Sequence, residues 1–87
     1  MSTNIKEIWD KTLNIIKGEL TEVSFNTWIK SIEPIKIEHD TVFLSVPNDF
    51  TRGILDSRYK NLIKNSIDQI TGGNFQVQLI IPDENSN

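Results

Sequence analysis

Apolar residues recur every three or four positions over residues 5–20, every second position over 35–46, at helical spacing over 50–70, and every second position again over 75–81. This switching of period limits what the chain can fold into. Helix-period stretches present one apolar stripe, and period-two stretches present one apolar sheet face. Two such element types in one short chain bury their faces on each other, as one layer of helices on one layer of sheet.

The punctuation agrees. Asn4 is placed to cap a first helix ending near Gly18, with Glu7 three positions on in a capping-box arrangement. Ile5, Ile8, Trp9, Leu13, Ile16 and Leu20 form its apolar stripe. Thr21 or Ser24 caps a short second helix whose buried side is Val23, Phe25, Trp28, Ile29 and Ile32, and Pro34 stops it. Ile35 and Ile37, then Val42, Leu44 and Val46, alternate with polar or exposed positions around His39-Asp40, the pattern of a β-hairpin. Asn48 caps a third helix. Unbroken over 49–71 it would run about 35 Å, so a bend or break is expected near 56–58, where Asp56 or Ser57 could re-cap the helix. Gly72-Gly73 ends it, and Phe75, Val77, Leu79 and Ile81 make a third strand. The order α-α-β-β-α-(α)-β predicts a small α+β two-layer domain over 1–81, with a three-stranded sheet covered by helices. Residues 82–87, polar and acidic, read as the start of a flexible linker in a chain that continues.

Chemistry is scarce. With no cysteine and one histidine, thiolate sites are excluded and most metal clusters and catalytic triads are removed. His39 beside Asp40 reads as a solvated turn residue, and Glu19 with Glu22 as surface charge. There is no Walker loop, no G-x-G-x-x-G and no G-x-S-x-G, and Gly72-Gly73 follows a helix instead of opening one. Neither an enzyme nor a cofactor is expected. No apolar run is long enough to span a membrane and no signal-peptide layout opens the chain, so no membrane association and a cytoplasmic location are the expectation. A net charge of −3 and a pI near 5.0 argue against tight nucleic-acid binding. Lys30, Lys36, Arg52, Arg58, Lys60 and Lys64 allow at most a weak single-stranded DNA contact.

Aromatic residues sit in informative places instead. Trp9 lies on the first helix stripe, where core packing and an interface role both stay open. Trp28 reads as core, exposed at an edge. Phe50, in a first helical turn beside Asn48, Asp49 and Thr51, is expected to be exposed.

Residues 24–30, Ser-Phe-Asn-Thr-Trp-Ile-Lys, resemble the S-F-x-T-W-[IM]-[KR] motif of the amino-terminal domain (domain I) of the bacterial chromosomal replication initiator family, DnaA. Ile8-Trp9 is similar to the L-W pair on that domain's first helix. Residues 40–44 resemble its D-T-L turn and second strand, residues 46–50 its A-P-N-x-F, Ser57-Arg58-Tyr59 its [SD]-[RK]-Y step, and residues 75–82 its last strand. The likeness runs in order along nearly the whole chain and is closest to the Gram-positive members.

The resemblance implies a KH-like fold and a non-catalytic hub of replication initiation. Its implied partners are other initiator molecules, the replicative helicase or its loader, and regulators of initiation. The family binds ATP and duplex DNA in separate modules, so no cofactor is implied here. Trp9 matches the tryptophan implicated in self-association, and Phe50 the phenylalanine implicated in helicase contact. Thr27, Trp28, Asn48, Phe50 and Thr51 match a patch used by regulators. One position departs: some members use a glutamate just before the motif phenylalanine for helicase contact, and Ser24 stands there, with Glu22 nearby. The alternative reading is a KH-like module that binds single-stranded DNA weakly. KH modules grip nucleic acid with a G-x-x-G loop, and none lies at either helix junction.

Overall fold

A computed structural model describes residues 4–82; the linker expected over 82–87 therefore lies, beyond Pro82, outside the described residues. Helix α1 spans Ile5–Glu19. The Asn4 carboxamide oxygen accepts from the N–H groups of Lys6 (2.9 Å) and Glu7 (3.3 Å), supplying the cap its sequence position promised. Gly18 does not terminate the helix: the chain leaves two residues later, at extended Leu20, whose N–H still reaches the Ile16 carbonyl.

The second helix, α2, begins over Glu22–Ser24, with Thr21 Oγ1 accepting from Ser24 N–H, and widens into a π-helical turn at Phe25–Ile29. The Lys30 N–H reaches five residues back to Phe25 O at 3.0 Å, the mark of that wider turn. Phe25 and Ile29, four apart, are both buried, but Val23 is 74 % exposed: two positions before Phe25, it lies about 160° around the helix axis from that buried side. Pro34 is not the stop signal. It lies inside strand β1 (Glu33–Glu38), an edge strand where its missing N–H is tolerated.

Strand β1 pairs antiparallel with β2 (Thr41–Ser45) through a two-residue turn, His39 taking a positive φ of 57°. The register shifts between Pro34 and Lys36, so Ile35 is a bulged residue and stands 45 % exposed instead of alternating inward. Helix α3 (Asp49–Ile54) continues into a second π-helical turn, Leu55–Tyr59, and then α4 (Lys60–Thr71). The helix is not broken near 56–58: it runs on through the widened turn, and neither Asp56 nor Ser57 caps α4. Gly72 ends α4 in the left-handed region, φ 74°. Strand β3 (Gln76–Ile80) then pairs parallel with β2, giving the sheet order β1-β2-β3 with β2 central. Phe75 precedes the strand and is only partly buried.

Val42 and Leu44 of β2, in register with Val77 and Leu79 of β3, present one buried sheet face. Trp9 and Ile16 of α1, Phe25 and Ile29 of α2, and Leu55, Ile63 and Ile67 of the long helix complete the core. Buried Thr12 donates its hydroxyl to Ile8 O, and no buried side-chain polar atom among the described residues lacks a partner. The α+β two-layer architecture is the one the periodicity demands.

Candidate interaction surface

The second strand runs out at Val46, and Pro47-Asn48 turns the chain into α3. Asn48 Oδ1 accepts from Thr51 N–H at 2.8 Å, fixing the first turn of that helix. Phe50 sits inside this clamped turn with its side chain outside: it is 71 % exposed. A large apolar ring at that exposure, on a backbone that capping holds still, is presented to solvent at low conformational freedom. Its one ring neighbour is Trp28, from the π-helical turn of α2. The centroids are 6.0 Å apart and the planes tilted by 48°, within the range of favourable aromatic pairs. Trp28 is half-buried, so one side of its indole anchors to the core while another meets Phe50. Thr27 and Asn48 are exposed beside this pair.

Four of the six residues singled out from the sequence therefore form one surface: Thr27, Trp28, Asn48 and Phe50. The other two do not present themselves there. Thr51 is 7 % exposed, and its contribution is the backbone N–H that holds Asn48. Trp9 is 3 % exposed and packs in the core. What remains of it at the surface borders a shallow hollow with Lys6, Asp10, Glu33 and Pro34, on the seam between α1 and β1. Of the two readings left open for Trp9, core packing is the one its burial supports.

Two exposed hydrophobic residues escaped notice in the sequence, Val23 and Ile35. The pattern places both inward; the bulge turns Ile35 outward, and Val23 lies on the side of its helix away from Phe25 and Ile29. Among the described residues no group of three or more His, Cys, Asp or Glu is arranged to hold a metal, and no helix is long and apolar enough to cross a membrane.

The Lys64 ammonium (2.6 Å), then the Phe75 backbone N–H (2.8 Å), hold the Asp68 carboxyl below the usual carboxylate range. Lys64 also donates to Asn74 Oδ1, so this cluster ties α4 to the entry of β3 and is structural.

Residues 6–69 match the family model described as the DnaA N-terminal domain. The fold is similar to a chain in the crystal structure of a HobA–DnaA (domain I–II) complex from Helicobacter pylori, with a TM-score of 0.73 at 15 % identity, covering 85 % of this chain and 96 % of that one. A family match extending over most of the 87 residues, on a fold of the same kind, settles the affiliation: the chain belongs to the DnaA N-terminal domain family.

Proposed function

We propose that this domain is a protein-docking module of a bacterial replication initiator, and that the Trp28–Phe50 surface is where the replicative helicase, its loader or a regulator of initiation binds. The observation that carries the reading is Phe50 itself: a 71 % exposed phenylalanine, capped into position and backed by a half-buried tryptophan, has the composition of a binding hot spot and no evident use in the core. The similar fold in the Helicobacter pylori HobA–DnaA complex supports it, since there the related chain is in complex with another protein. Partners sharing one small surface exclude one another, so loading and inhibition would compete.

Titration of the cognate helicase, loader and regulators against the wild-type domain and Phe50→Ala tests this. The variant is expected to keep its fold, losing about 1 kcal/mol or less from the ring contact, while affinity for at least one of them falls about 10-fold or more. Unchanged affinity for all of them would sink the reading.

Self-association through the first helix forms the second part of the proposal. With Trp9 buried, the contact would be made by its exposed neighbours Lys6 and Asp10, and Trp9 would act by holding the helix in place. Sedimentation of Lys6→Glu and Asp10→Lys variants, which leave the core intact, reads this directly; two variants sedimenting like wild type at every concentration would refute it.

A further inference from the structure

Phe25, three residues before Trp28, meets α1 instead of Phe50: the Lys17 ammonium lies 5.8 Å from its ring centroid. Lys17, Glu22, Phe25, Asn26 and Lys30 line a hollow of about 390 Å³ between the end of α1 and the π-helical turn. Its charge is unusual for this molecule. Of the nine Lys and Arg, Lys11, Lys36, Arg52, Lys60 and Lys64 each lie within ion-pair distance of a carboxylate. Lys6, Lys17, Lys30 and Arg58 have no such partner among the described residues, and two of those four face this one hollow. Glu22 shares the hollow yet pairs with neither lysine.

We propose that this hollow is a second docking site, for an acidic peptide segment of a partner protein, with Lys17 and Lys30 taking its carboxylates and Asn26 supplying a hydrogen bond. Two ammonium groups with no ion-pair partner among the described residues, against the one carboxylate of Glu22, leave the hollow net positive on an otherwise acidic chain, and the complement of such a site is a carboxylate-bearing segment. Single-stranded nucleic acid fits less well. Phe25 is 8 % exposed and lies under Lys17, so no base can stack on it. The site does not depend on the Trp28–Phe50 pair. Because α2 contributes to both, Trp28 to one and Phe25 and Asn26 to the other, a partner gripping one surface can extend to the other, and two weak contacts then act as one stronger one.

The test is an NMR titration of the isotope-labelled domain at low salt with a capped peptide of alternating glutamate and leucine. Its glutamine counterpart and an oligothymidylate serve as comparison probes. Saturable amide shifts centred on Lys17, Asn26 and Lys30 are expected with the glutamate peptide. Lys30→Ser and Lys17→Met, the latter keeping the aliphatic stem over Phe25, should each weaken binding by about 3–5-fold. Phe50→Ala should leave it unchanged, which separates this site from the aromatic surface. Shifts that are absent or centred elsewhere, equal binding of the glutamine peptide, or tighter binding of the oligothymidylate to the same residues would each overturn the proposal.

Discussion

Trp9 and Phe50 looked alike as candidates for an outward role, yet the fold leaves them 3 % and 71 % exposed. The difference is the neighbourhood each backbone position acquires. Trp9 is on the stripe of a fifteen-residue helix that packs on α4 and β1, so its ring fills the core. Phe50 sits within a capped turn, with exposed Asn48 and Asp49 before it. Polar flanking residues at a helix start can be read from sequence, and that made Phe50 legible. The depth of core beneath a stripe cannot, because it depends on elements far along the chain. Trp9→Ala should therefore act on stability: removing a buried indole costs about 3–5 kcal/mol, much of the 5–15 kcal/mol typical of a whole domain. A large drop in the urea midpoint is expected, and a midpoint near wild type would show that Trp9 is not packed as described. Any change in association seen with this variant would then have to be separated from unfolding, which is why charge changes at Lys6 and Asp10 are the cleaner probe.

At the scale of elements, the helices, the hairpin and the third strand were legible from period and caps, and the irregularities were not. Leu55, Tyr59, Ile63 and Ile67 face the core at intervals of four. In a regular α-helix such a row drifts around the axis by about 40° per step; the wide turn at Leu55–Tyr59 rotates the chain the other way and keeps the row inward. Over a few residues, spacing of four is indistinguishable from a 3.6 period, so the π-turns were hidden. The Ile35 bulge was hidden because alternation marks sides but not an inserted residue. The clasp of Asp68 with Lys64 and Phe75 N–H joins α4 to β3 across seven residues and has no local signature either. It does have a pH signature. The folded-state pKa of Asp68 lies below its unfolded value, so the clasp contributes fully above about pH 4 and is lost as pH falls through the lower folded value. Asp68→Asn should cost on the order of 1 kcal/mol near neutrality. Urea midpoints from pH 7 down to pH 3 should show the gap from wild type narrowing below about pH 4; a gap that stays constant with pH would mean that the carboxylate charge adds nothing to the clasp.

The whole molecule is a flat body, with Cα extents of 36 × 34 × 18 Å, as one layer of helices on one sheet requires. Its charges are arranged to cancel locally. Five of nine cations sit on carboxylates, and on the sheet face opposite the core Lys36 spends its ammonium on Glu38 and on the Phe43 ring, 5.0 Å from its centroid. That arrangement bears on the KH-like alternative, because affinity for a single strand comes chiefly from cations that replace its counterions. Only Lys6, Lys17, Lys30 and Arg58 lack a carboxylate among the described residues. If all four met phosphates at once, log K against log salt would have a slope no steeper than about −3, taking about 0.7 per phosphate on a single strand. These four cations come from separate elements, α1, the end of α2 and the second π-turn; a strand that meets fewer than four of them gives a shallower slope still, and the affinity at physiological salt should be weak. Fluorescence titration of the domain with oligothymidylate over a range of salt measures both. A slope steeper than −3 would require the paired lysines to abandon their carboxylates for phosphate, and nucleic acid would then rank ahead of protein as the natural occupant of this surface.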